Sequence, residues 1–84
     1  MNTVIQRKIE VTGTFSPLSA SRLVGTFDIS CPPTNAGNVV FQSDDGGEVP
    51  WIPGEYHTLV RVDLSRIRVK GTPGDIVTVI GGTW

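Results

Sequence analysis

The residues of this chain that could carry chemistry fall into three groups. His57 is the only histidine and Cys31 the only cysteine. Asp44, Asp45, Glu48 and Glu55 gather carboxylates in one short stretch. Arg66, Arg68 and Lys70 place cations at alternate positions, with Arg61 shortly before them.

The first group could supply a base, a nucleophile or a metal ligand. A zinc site takes about four ligands, and one imidazole with one thiol falls short. Pro53-Gly54-Glu55-Tyr56-His57 follows the cupin habit of a Pro-Gly turn leading to a metal-binding histidine. The spacing is one residue short, however, and the paired histidines that complete such a site are missing. Serines and threonines are plentiful, yet only His57 could activate one, and there is no Gly-x-Ser-x-Gly elbow. Cys31 is expected as a small core residue. The sequence therefore predicts no catalytic residue, no metal and no cofactor.

The carboxylates could be paired for glycoside chemistry, but they fall in turns and loops, where a solvated acidic surface is the simpler expectation. Residues at alternate positions of a strand point the same way, so Arg66, Arg68 and Lys70 would line one face, joined by Arg61. One account is a solvated edge strand whose charge discourages aggregation. Another is a contact between subunits, with the acidic turn Asp44, Asp45 and Glu48 of a neighbour covering the stripe. Nucleic acid is disfavoured, because no stacking aromatics are interleaved with the cations and the formal net charge is -1. Two tryptophans are placed oddly, Trp51 in a proline-bounded stretch and Trp84 at the last position. Tryptophan commonly anchors interfaces; the other account is that each caps an end of the core.

The elements that must position these residues read as strands. Apolar residues alternate with polar ones over 5–12, 23–31, 56–64 and 67–70, and 38–43 and 75–80 are short β-branched runs. Leu23, Gly25, Phe27, Ile29 and Cys31 share one face. Tyr56, Thr58, Val60, Val62 and Leu64 share another. Asp44-Asp45-Gly46-Gly47 and Gly71-Thr72-Pro73-Gly74 are strong turns. The stretch 48–55, with Pro50 and Pro53, is expected as an extended loop or a broken edge strand. No window shows the period of an amphipathic helix. The expected fold is all-β: a single domain over residues 1–84, a jelly-roll-like β-sandwich or small barrel of six or seven short antiparallel strands, with extended arms at 1–6 and 81–84.

The chain has 84 residues. Domains this small bury a limited core and commonly add disulfides, a metal or an oligomeric interface. With the first two lacking residues to build them, a homo-oligomer or docking onto a larger assembly is the expected stabiliser. The N-terminal residues carry charges where a signal peptide needs an apolar run, and no stretch approaches the roughly 20 apolar residues of a membrane span. A cytosolic origin, without a membrane, is the expectation, and a free Cys31 fits it.

Val49-Pro50-Trp51-Ile52-Pro53-Gly54-Glu55-Tyr56-His57, then Val62-Asp63-Leu64-Ser65, then the hairpin "VKGTPGDIVTVIGGTW" make up most of the C-terminal half. This half resembles the small β-rich structural proteins that tailed bacteriophages encode among their head genes. The resemblance implies a virion component made in the host cytoplasm. The kind expected is a decoration or cement protein on the capsid exterior, often trimeric, binding across junctions of the major capsid protein. The alternatives are a head–tail or tail subunit, and a carbohydrate- or receptor-binding module using Trp51, Tyr56 and His57.

Overall fold

Strand pairing radiates from the Asp44–Gly47 turn, which lies near the middle of the chain. In the computed structural model, which describes residues 3–83, β4 (Val39–Gln42) and β5 (Val49–Trp51) flank that turn and pair antiparallel. Further out, β3 (Val24–Ser30) pairs with β6 (Tyr56–Asp63), and β2 (Ser16–Pro17) with β7 (Arg68–Lys70). The outermost pair is β1 (Thr3–Glu10) with β8 (Ile76–Thr83). The chain is thus one long hairpin. It is then rolled up, so that β3 also takes β8 as a neighbour and β4 takes β7. Two four-stranded sheets result, ordered β1-β8-β3-β6 and β2-β7-β4-β5.

This is jelly-roll connectivity, so the all-β sandwich expected from the sequence is the fold. The strand count among the described residues is eight, because β2 forms between the runs 5–12 and 23–31. β5 takes the place of the broken edge strand. A 3-10 turn, Leu64–Arg66, joins β6 to β7.

The core lies between the sheets and follows the alternation. Phe27 and Ile29 of β3, Val39 of β4, Val69 of β7, and Val77 and Val79 of β8 are fully buried, as are Cys31 and Leu64. Each large apolar side chain so buried contributes about 1.5–3 kcal/mol. Glycine is required where β3 crosses β8, at the Phe27–Gly81 pair. A Cβ on Gly81 would run into the Thr26 carbonyl and lie 2.9 Å from the Phe27 ring; one on Gly25 would also lie 2.9 Å from that ring. Phe27 covers both glycines and fills the space they leave.

Three sequence expectations are corrected by the long-range pairing. Residues 3–6 are not a free arm, nor 81–83 a free tail: they pair with one another, Thr3 with Thr83 and Ile5 with Gly81. Met1, Asn2 and Trp84 lie outside the described residues. β7 is not an edge strand, since β2 and β4 flank it on either side. The face assigned to Tyr56, Thr58, Val60, Val62 and Leu64 is split by a β-bulge. Gly25 faces Val62 and Phe27 faces Leu59, so Thr26 opposes both Val60 and Arg61. The extra residue shifts the phase. Leu59 and Val62 turn toward the core, while Val60 and Tyr56 are exposed. Arg61 takes the left-handed conformation, φ 57°, that this bulge requires.

The strand crossing yields a paired test by urea unfolding. Gly81→Ala should destabilise the protein by about 1–3 kcal/mol, the usual range for overpacking. Gly13→Ala, where an added Cβ meets nothing within 4 Å, should be neutral or slightly stabilising. Equal effects of the two would show that the close approach of β3 to β8 is not what Gly81 serves.

Candidate functional site

Two local structures bring the charged residues toward one another. The first is the β4–β5 turn. Gly46 adopts φ 76°, the Gly47 N–H donates to Asp45 Oδ1 at 2.8 Å, and Gln42 Nε2 donates to the Gly46 carbonyl at 2.9 Å. These bonds fix a tip from which Asp44, Asp45 and Glu48 are exposed. The second is the connection from β6 to β7. Asp63 Oδ1 accepts from Ser65 N at 3.0 Å, Ser65 Oγ at 2.8 Å and Leu23 N at 3.1 Å. This capping sets the 3-10 turn and so places Arg66, followed by Ile67 and Arg68.

Between these two structures lies an open groove of about 1080 Å³. Asp44, Asp45 and Glu48 line it from the turn, and Arg66 and Arg68 from the neighbouring connection, where Arg68 pairs with Gln42. Ile29, Phe41, Trp51, Leu59, Val62 and Ile67 give it an apolar floor, with Val49 exposed beside them. Among the described residues, no ion pair joins Asp44, Asp45 or Glu48 to Arg66 or Arg68. The arrangement is an apolar centre bordered by side chains of both charges.

The other expected interface residues are placed differently. Trp51 is in β5 and only 8% exposed, its ring 4.0 Å from Phe41 and 4.7 Å from His57 by centroids. It caps the core and has little surface free to anchor a partner. Lys70 faces away from the groove floor; it pairs with Glu48 of its own chain at 3.3 Å and lies 4.7 Å over the Phe15 ring. The expected cover for Lys70, an acidic turn from a neighbour, is thus supplied from within the chain. Arg61 belongs to the other sheet, at the bulge. Trp84 lies outside the described residues. His57 Nε2 meets Glu55 Oε2 at 2.7 Å, and Cys31 is buried.

Sequence reasoning missed Leu59, Val62 and Ile67 as floor residues. The signal was there in the spacing of Leu59 and Val62, three apart, which a strand can turn to one face only through a bulge. Among the described residues no group of three His, Cys, Asp or Glu side chains could hold a metal ion. No family model, curated protein or solved structure matches the chain.

Two carboxylates have pKa values held below their ordinary range. For Asp63 the main cause is the Ser65 hydroxyl bond, followed by the Leu23 amide. For Glu55 it is the His57 bond, followed by the Ile52 amide. A depressed folded pKa contributes stability that is present above the unfolded values, near 3.8 and 4.5, and lost as pH falls through the folded ones. The urea midpoint should therefore drop as pH falls below about 4. Asp63→Ala should lower the midpoint at pH 7 and flatten that acid slope. An unchanged midpoint at pH 7 would mean that the cap does not hold the 3-10 turn in place.

Proposed function

We propose that this is a non-enzymatic structural protein that docks onto other protein subunits through the groove. Following the resemblance of its C-terminal half, we place it in a tailed-phage virion, as a decoration or cement protein on the capsid exterior. The observation that carries the docking role is the convergence of Asp44, Asp45, Glu48, Arg66 and Arg68 on one groove with an apolar floor. Rigidity favours the same reading. Paired ends and a fixed turn leave little chain to order on binding, so less of the contact energy is lost to entropy. On a capsid lattice, many copies multiply a modest contact.

The sugar-binding alternative gains no platform from this arrangement. Trp51 is buried, Tyr56 stands exposed on the outer face of the other sheet, and His57 is engaged by Glu55.

Cosedimentation with emptied heads of the encoding phage tests the proposal. The native protein should bind saturably, at a copy number that follows the capsid lattice. Arg66→Glu with Arg68→Glu should stay folded by circular dichroism and bind about tenfold more weakly, a loss of ~1.4 kcal/mol. Copy number matching a single ring would favour a head–tail subunit instead. Absence of binding to heads and tails alike would remove the virion reading.

A further inference from the structure

We infer that the groove takes an extended segment of the partner subunit, which adds to the free edge of β6 as a further strand of that sheet. The inference rests on the groove being a docking site and names what enters it. β6 ends its sheet, with β3 on one side only, and it borders the groove through Leu59, Val62 and Asp63. Two bonds fix the direction of its backbone groups. The Glu55 carbonyl accepts from the Cys31 N–H at 2.8 Å. A trans peptide sends its carbonyl and its N–H opposite ways, and no peptide bond among the described residues is cis, so the Tyr56 N–H points away from β3. At the other end, the Arg61 N–H donates toward β3, to Thr26 Oγ1 at 3.4 Å, so the Val60 carbonyl also points away from β3. Between them the ladder alternates, and Thr58 turns both its N–H and its carbonyl outward. Tyr56, Thr58 and Val60 thus present a row of donors and acceptors beside an apolar floor, the template on which a strand is added.

The other sheet edges are guarded and this one is not. β1 carries Arg7 and Lys8, β5 carries Pro50, and β2 is two residues long and ends in Pro17. From Tyr56 to Val60, β6 has no proline, no lysine and no carboxylate. Tyr56, Thr58 and Val60 are exposed there, and aromatic and β-branched residues favour strand pairing. The bulge at Arg61 ends the row. An incoming strand would turn every second side chain toward Leu59 and the floor, so the segment that fits carries apolar residues at alternate positions.

Hydrogen exchange read by mass spectrometry, on the free protein and on protein bound to emptied phage heads, is the test. In the free protein the Tyr56, Thr58 and Val60 amides should exchange fast, and on heads they should become protected. Thr58→Pro and Thr58→Val both lose the hydroxyl bond to Asp28, but only proline also removes the outward N–H. With both folded by circular dichroism, the proline variant should bind heads at least about tenfold more weakly than the valine variant. The exchange comparison needs no variant and decides alone if Thr58→Pro does not fold. Equal binding by the two variants, or bound protein whose 56–60 segment exchanges as fast as before, would overturn the added strand and leave the docking role standing. Protection already present in the free protein and rising with its concentration would put a second copy on the edge, and would overturn the partner's segment as occupant. A native chain that ignores heads and tails alike would remove the docking reading and this inference with it.

Discussion

The chain reverses direction at Asp44–Gly47, and every other pairing in the fold is nested outside that reversal. Once β4 and β5 are paired, β3 and β6 are brought close, then β2 and β7, then β1 and β8. The closure of each outer pair is made easier by the pair inside it, because the effective loop has already been shortened. The outermost contact, Thr3 with Thr83, joins the two ends of the described chain. The turn itself needs little to hold it: an aspartate that accepts from the amide two residues on, and one glycine in the left-handed region.

Rolling the hairpin into a sandwich imposes a second demand, that β3 accept β8 at close range. Gly25 and Gly81 allow the approach, and Phe27 fills the volume they give up. The far end is locked by a buried polar pair. Asn35 Oδ1 accepts from the Ile76 amide at 3.0 Å and its Nδ2 donates to the Ile76 carbonyl at 2.8 Å. Asp75 accepts from the amides of Ala36 and Gly37 at 2.9 and 3.0 Å. The loop after β3 is thereby bonded to the start of β8, and polar groups that burial would otherwise penalise are satisfied.

The groove follows from these same features. The β4–β5 turn leaves Asp44, Asp45 and Glu48 exposed at the groove. The Asp63 cap starts a 3-10 turn that brings Arg66 to the same groove. The bulge supplies the floor, since it turns both Leu59 and Val62 inward. A docking role is proposed from this one geometry, and it stands on side chains of both charges around an apolar centre.

The sequence by itself determined the all-β class, the central turn, and the buried face of β3. Those are local matters: alternation of side chains along a strand and the backbone freedom of Asp-Gly and Gly-Gly. Phe27, Ile29 and Cys31 could be assigned to the core because nothing interrupts their period. Only the tertiary structure decided that β7 is an inner strand, that Lys70 is covered by its own Glu48, that the chain ends pair, and that Leu59 replaces Val60 at the core. Each of these depends on which strand lies alongside and in what register. Arg61 shows why: its left-handed backbone is imposed where it and Val60 both oppose Thr26, a residue on a strand remote in sequence. The groove belongs to the same class, because its walls come from segments that only the rolled hairpin brings together.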